Sequence, residues 1–431
     1  MLSIFLDERF SRGVLTMALA EKLSAYTEEY WDFSEYRNVT PLVRYPAVMV
    51  APMQACILKE IISADNTIKE VLDPFCGSGI VLQEGKKLGL NVTGFDINPL
   101  ATLITQVQLE GLPANETPIS ITNLHSRLAL LVGNVAPFNF RNIQKWFNDD
   151  VILSLSVIRQ AILGEPNSRI RRFFWCCFAE TVKKFSNTRT STFKLHVKEQ
   201  AQIDSTVDDS IEYFKSHIQE NYPRLIKSDA GENCIRCGDS KELLNLIPQE
   251  SIDLICTSPP YGDNHTTVTY GQFSILPILW IDKNDLMIWD DKLLETFTAI
   301  DSSSLGGKIK RKKDGDAEYC EYVSGISADK QKKVISFLSD YENIFNLLAK
   351  SLKPGKLLVL TLGNRRVDDK EIPFDTFNDM LANKYGMELD STITRNIVGK
   401  RMPCKVSNIK EHGAVKSMSK EYVKIYRKRS E

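Results

Sequence analysis

KEVLDPFCGSGIVLQEGKKLGLNVTGFDINP, residues 69–99, decides the fold. It reads as a short apolar strand, a tight turn at Gly77-Ser78-Gly79, a helix, and a second strand that ends in Asp96. Gly77 and Gly79 let the backbone turn sharply and approach a ligand closely. Asp96 falls 17 residues after Gly79, close to the spacing of a ribose-hydroxyl acceptor in nucleotide-binding folds. A bare GxG says little. Strand, glycine turn, helix, strand and acid together point to a nucleoside-containing cofactor on an α/β sheet. No GK[ST] follows, which disfavours a Walker-type phosphate cradle. The glycine run stops before Ile80, Val81 and Leu82, which disfavours a dinucleotide and leaves a cofactor lacking a pyrophosphate.

The chemistry reads from CTSPPYGDNHTTVTYGQFS, residues 256–274. The apolar SIDLI just before it, residues 251–255, predicts a buried parallel strand. Its carboxyl end is where open α/β sheets keep their sites. Pro259 and Pro260 donate no backbone hydrogen bond and have fixed φ, so Ser258 to Tyr261 forms a stiff, extended turn. That turn suits the activation of an exocyclic base amine, a poor nucleophile because its lone pair is delocalised into the ring. Acceptors aimed at its N–H groups favour the pyramidal, nucleophilic form. The Ser258 hydroxyl and the Pro259 carbonyl would be those acceptors, with Tyr261 as a stacking platform. A proline-rich turn that merely ends a strand is the competing reading of these four residues taken alone.

At 431 residues with 43% hydrophobic and 25% charged content, the chain has the composition of an ordinary globular protein. Its net charge of −1 advertises no nucleic acid globally, so any DNA-binding surface must be local. The nine cysteines are scattered, several in apolar or motif contexts, as expected of reduced thiols in a cytoplasmic protein. Cys234 and Cys237 form a lone CxxC without a second pair, so no metal is expected. Neither a leader nor a membrane span is evident.

DPFCGSG at 73–79, FDINPLA at 95–101 and TSPPY at 257–261 together resemble the S-adenosylmethionine-dependent DNA amino-methyltransferases of restriction-modification systems, which methylate cytosine N4 or adenine N6. The resemblance implies a doubly wound, Rossmann-like class I methyltransferase sheet. It implies S-adenosyl-L-methionine over the first two strand ends and a base, flipped from double-stranded DNA, beside the SPPY turn. Asp73, Phe75, Gly77 and Gly79 match the family's cofactor loop, and Asp96 its ribose acceptor. Asp239 stands where the family places an acid near the cofactor adenine. Pro46 opens a predicted amphipathic helix over residues 44–62 that matches the one beside the methionine moiety. Serine at the first position of the turn favours N4 of cytosine. A cognate restriction endonuclease that acts on the same DNA site without a stable complex is the implied partner.

The expected organisation is an N-terminal helical extension (1–40), a catalytic core (41–101, 234–263 and 335–404), and a mostly helical insertion (102–233). A second insertion with a basic loop (264–334) and a basic C-terminal segment (405–431) complete it. Predicted helices cover 148–163 and 170–185. The loop at 186–196 carries Arg189 and Lys194 among hydroxyls and amides; it is either a DNA contact or a solvated loop. The basic run after Lys308, with Lys310, Arg311 and Lys312, reads as a backbone-tracking loop or a solvated one. Residues 391–431 hold 11 Lys and Arg against 3 acids, which predicts a DNA-facing rim that includes Arg395, Lys400 and Arg401. Two readings stay open beside DNA amine methylation, an RNA base substrate and a cofactor-binding DNA module without turnover; a protein side-chain substrate is disfavoured, because a small peptide amide does not call for two large recognition insertions. Carbon-5 methylation is disfavoured, because no cysteine stands in a Pro-Cys turn.

Overall fold

The computed structural model describes residues 19–33, 36, 41–225, 232–308, 316–397, 408–409, 413–414, 418 and 420–430. Five parallel strands form the left and centre of the sheet: β1 (Glu70–Asp73), β2 (Asn91–Asp96), β3 (Asn233–Cys237), β4 (Ile252–Thr257) and β5 (Leu352–Leu362). With β6 (Met387–Asn396) and β7 (Lys420–Lys428), the order is β3-β2-β1-β4-β5-β7-β6. β7 is antiparallel to both of its neighbours. This is the expected doubly wound, Rossmann-like sheet. The chain leaves β1 toward β2 and β3 and later returns to build β4 and β5 on the other side. The crevice therefore opens above β1 and β4, at the switch point.

Both sheet faces are covered, so the central strands read as apolar runs. Helices α1 (Ala51–Ala64) and α2 (Ile80–Lys87) pack with Val71, Leu254, Val359 and Ile425 on one face. Helix α9 (Ala328–Ser351) and helix α10 (Phe374–Lys384) cover the other, around Leu72, Ile255, Leu358 and Tyr426. Helix α1 is shorter than predicted. Pro52 in its first turn sets the start at Ala51, and Ala47 adopts φ +51, so residues 44–50 form a loop.

The basic end is a correction. Residues 420–428 are no rim: they are the strand inserted between β5 and β6, with Val423, Ile425 and Tyr426 buried. Its cations are neutralised where they stand, Lys424 by Asp379 at 2.9 Å and Arg427 by Asp390 at 2.9 Å.

The two insertions are also not separate. Helices α3 (Pro99–Glu110), α4 (Thr117–Leu131), α5 (Asp149–Leu163), α6 (Ser168–Phe185), α7 (Ser210–Leu225) and α8 (Tyr270–Trp280) share one apolar core. Trp280, from the second insertion, is fully buried among Phe138, Phe140, Phe147 and Phe178 of the first. Asp285 accepts from Arg171 at 2.7 and 2.8 Å and from the Trp175 indole at 2.8 Å. A side chain of this size buried this fully contributes about 3–5 kcal/mol against truncation to Ala. The result is a single helical lobe set against the crevice.

Candidate functional site

The strand register sets the sequence-predicted acids at the ends of β1 and β2, with Asp96 two residues beyond the level of Asp73. Asp73 faces Gly94 across β1 and β2, and Asp96 faces Cys237 across β2 and β3. Above them lies a cavity of about 1150 Å³. That exceeds the roughly 300–1,000 Å³ of an ordinary small-molecule pocket and leaves room for a cofactor and a base together.

Pro46, Phe75, Gly77, Asp96 and Asp239 line it. Gly77 has φ +51, and a Cβ there would stand 3.6 Å from the Tyr45 ring, on the cavity floor. Asp96 accepts from the backbone N–H of Gly77 and of Asn98, each at 2.9 Å. Burial pushes its carboxyl up to about 6, against the lowering by those N–H groups. Each carboxylate oxygen retains acceptor capacity for a hydroxyl pair. Asp239 caps the N-terminus of a short helix through the Lys241 N–H at 2.9 Å, and burial raises its carboxyl as well.

Asp73 and Gly79 sit elsewhere than predicted. Asp73 is fully buried beneath the loop, where Oδ1 accepts from the Thr257 hydroxyl at 2.6 Å and the Phe75 N–H at 3.1 Å. It ties the end of β1 to the end of β4 rather than facing a ligand. Oδ2 has no partner, and burial raises the carboxyl to about 7. Gly79, with φ +79, is buried against α3, where a Cβ would meet the Thr105 methyl at 2.7 Å. Its role is the close approach of loop and helix.

Ser258, Pro259, Pro260 and Tyr261 line the same cavity. The Ser258 hydroxyl donates to the Thr361 carbonyl at 3.2 Å and lies 3.3 Å from the Tyr261 hydroxyl. Tyr261 in turn lies 3.5 Å from Oε1 of Glu421, and its hydroxyl is raised by burial first and by that carboxylate second. Burial raises the Cys256 thiol.

The expected DNA contacts separate. Arg395 lines the cavity but is only 8% exposed and is held by Glu421 at 2.6 and 2.8 Å, so it is no phosphate ligand. Arg189 pairs with Glu199 and with the Val197 carbonyl at 3.1 Å. Lys194 is exposed beside Phe193, which lines the cavity. Lys308 is exposed on the cavity rim, whereas Lys310, Arg311, Lys312, Lys400 and Arg401 lie outside the described residues.

Sequence reasoning missed Tyr45, Tyr270, Trp289 and Glu421, all on the cavity wall. Tyr45 and Tyr270 stack at 5.8 Å, and Asn98 joins them through the Tyr45 hydroxyl at 3.2 Å and the Tyr270 carbonyl at 3.3 Å. The Trp289 indole donates to the Ile97 carbonyl at 3.4 Å. Tyr270 falls within the 256–274 stretch and Tyr45 beside Pro46, but neither has a role in those motifs, and Trp289 and Glu421 belong to no local motif. Among the described residues, no three His, Cys, Asp or Glu side chains gather as a metal site, and no helix is long and apolar enough to cross a membrane.

Residues 55–125 match the D12 class N6 adenine-specific DNA methyltransferase family. The type II methyltransferase M.MvaI of Kocuria varians is 29% identical over 392 residues, which are 84% of this chain and 85% of that protein. An S-adenosylmethionine-dependent methyltransferase structure from Methanosarcina mazei matches at 10% identity over 84% of this chain and 94% of its own, with a TM-score of 0.30. A Thermus thermophilus protein described as a DNA modification methylase, solved with S-adenosyl-L-methionine, matches at 19% identity and a TM-score of 0.23. That match spans 45% of this chain and 54%, about half, of the Thermus chain. At scores this low, the fold rests on the strand order itself.

Proposed function

We propose that the chain is an S-adenosylmethionine-dependent DNA amino-methyltransferase that methylates the exocyclic N4 amine of cytosine in double-stranded DNA. The observation that carries this reading is the stiff Ser258-Pro259-Pro260-Tyr261 turn in the wall of the same cavity as the glycine loop and Asp96. The likeness to a type II methyltransferase over most of both chains supports a modification role in a restriction-modification system.

Bound in the cavity, S-adenosyl-L-methionine supplies an electrophilic sulfonium methyl group. Asp96 would accept its ribose hydroxyls, Phe75 and Asp239 would border the adenine, and Gly77 and Pro46 the amino-acid end. Ser258 gives its own proton to the Thr361 carbonyl, so its lone pairs turn to the cavity and accept an N–H of the flipped base. The Pro259 carbonyl accepts the other. The Tyr261 ring supports the base face, and the amine proton released on reaction leaves past Ser258 to water. The helical lobe, through Phe193, and Lys308, held beside α9 by the Ser336 hydroxyl, would contact the duplex.

The adenine-class match favours a second reading, N6 of adenine. Its matched segment, residues 55–125, contains the glycine turn and Asp96 but ends before Ser258, so it does not include the residues that meet the base. Mass spectrometry of nucleosides from the DNA of expressing cells, beside a Ser258→Ala control, tests the choice. N4-methylcytosine made only by the unaltered chain is expected. N6-methyladenine in its place overturns the cytosine assignment.

A further inference from the structure

We propose that Glu421 is a positioning residue for the acceptor turn: its carboxylate fixes the direction of the Tyr261 hydroxyl proton and so keeps the Ser258 oxygen open to the target amine. The proposal rests on the role given to Ser258 above.

Glu421 and Arg395 face each other directly across the antiparallel β6–β7 pair. Oε2 of Glu421 takes both Arg395 contacts, at 2.8 Å to Nε and 2.6 Å to Nη2. Oε1 is thereby aimed at the Tyr261 hydroxyl, 3.5 Å away in the absence of a base. An ion pair this buried contributes little net stability compared with apolar packing. Its position at the back of the turn calls for another account.

Proton counting supplies one. Ser258 and Tyr261 each own one hydroxyl proton, and their oxygens are 3.3 Å apart. The Thr361 carbonyl, 3.2 Å from Ser258, can only accept. Tyr261 chooses between the Ser258 oxygen and a carboxylate, and a charged acceptor is the stronger one. With the tyrosine proton on Glu421, Ser258 receives no internal donor and its lone pairs stay free for the amine. An amide at position 421 reverses this. Its N–H group can donate to the tyrosine oxygen, the tyrosine proton then turns onto Ser258, and the acceptor is occupied.

A double-mutant cycle tests the idea, with turnover and S-adenosylhomocysteine affinity measured for Glu421→Gln, Tyr261→Phe and the pair. Glu421→Gln should lower kcat by about tenfold to a hundredfold, the scale of one charge-assisted hydrogen bond, with ligand affinity unchanged. In the Tyr261→Phe background, which has no hydroxyl to direct, the same change should have no further effect. Glu421→Asp, which keeps the charge, should restore part of the rate, and it carries the test if the glutamine variant does not fold. Wild-type kcat in Glu421→Gln, or fully additive effects in the cycle, overturns the proposal. Ser258→Ala assayed alongside separates the two claims. Full activity there overturns the reading of the turn itself, whereas low activity there with additive Glu421 and Tyr261 effects overturns Glu421 alone.

Discussion

Replacing Asp96 by Asn keeps the side chain's size and removes its charge at the point where the proposed cofactor site begins. In the structure one carboxylate oxygen accepts from the Gly77 N–H and the other from the Asn98 N–H, each at 2.9 Å. An amide has one oxygen and one NH2 group, so one of these backbone donors must face another donor. The acceptor left for a ribose hydroxyl is also weakened. Losing one hydrogen bond to a charged group costs about 1.5–3 kcal/mol, or roughly 10- to 150-fold in affinity. The pH dependence adds a second signature. Burial pushes Asp96 up to about 6, so a ligand that needs the carboxylate binds fully above pH 6 and loses about tenfold per unit below it. Calorimetric titration with S-adenosylhomocysteine from pH 5 to pH 8 measures both. The wild type should weaken on acidification, and Asp96→Asn should be weaker throughout and flat across that range. An Asn variant with wild-type affinity and wild-type pH dependence would refute the placement of the ribose at Asp96.

Three further outcomes follow from the same geometry. Asp73 has a folded pKa of about 7, above the ordinary value of 3.8, so its stabilising protonation is fully present below pH 4 and is lost as pH rises through 7. Asp73→Asn should remove that loss, gaining up to about 4 kcal/mol over the wild type at pH 8 in denaturant melts, with the difference vanishing near pH 4. Gly79→Ala places a Cβ 2.7 Å from the Thr105 methyl at φ +79 and should destabilise by at least about 1–2 kcal/mol, part of it recovered by Thr105→Ser. Arg395→Ala should leave the salt dependence of DNA affinity unchanged and lower the melting temperature, because it strands Glu421; Lys308→Ala should reduce the slope of log K against log salt by about one unit.

The elements legible in the sequence were those whose chemistry is local. The glycine turn, Asp96 and the Pro-Pro turn each declare themselves within a few residues, and the parallel register then lifts all three to one crevice. What stayed hidden depends on distant partners. Residues 420–428 read as a basic tail because Asp379, Asp390 and Glu250, which pair with Lys424, Arg427 and Lys428, lie more than 30 residues earlier in the chain. Arg395 read as a DNA contact for the same reason: its partner Glu421 belongs to a strand that carries no motif. That the two insertions share one core was not legible, because the segment 234–263 separates them in sequence and only packing puts Trp280 among the phenylalanines of the earlier insertion. Asp73 matched a cofactor motif by spacing, which does not distinguish a side chain on the cavity wall from one buried beneath it.

The central claim is a division of labour: the glycine loop and Asp96 bind the cofactor, and the Ser258 turn activates the amine. Single-turnover transfer of a labelled methyl group to duplex DNA, with S-adenosylhomocysteine affinity measured on the same samples, tests it in one comparison of Ser258→Ala with the wild type. The account expects the rate to fall by about 10²- to 10³-fold while affinity stays within about twofold. A variant that transfers at the wild-type rate but binds the ligand poorly would contradict it.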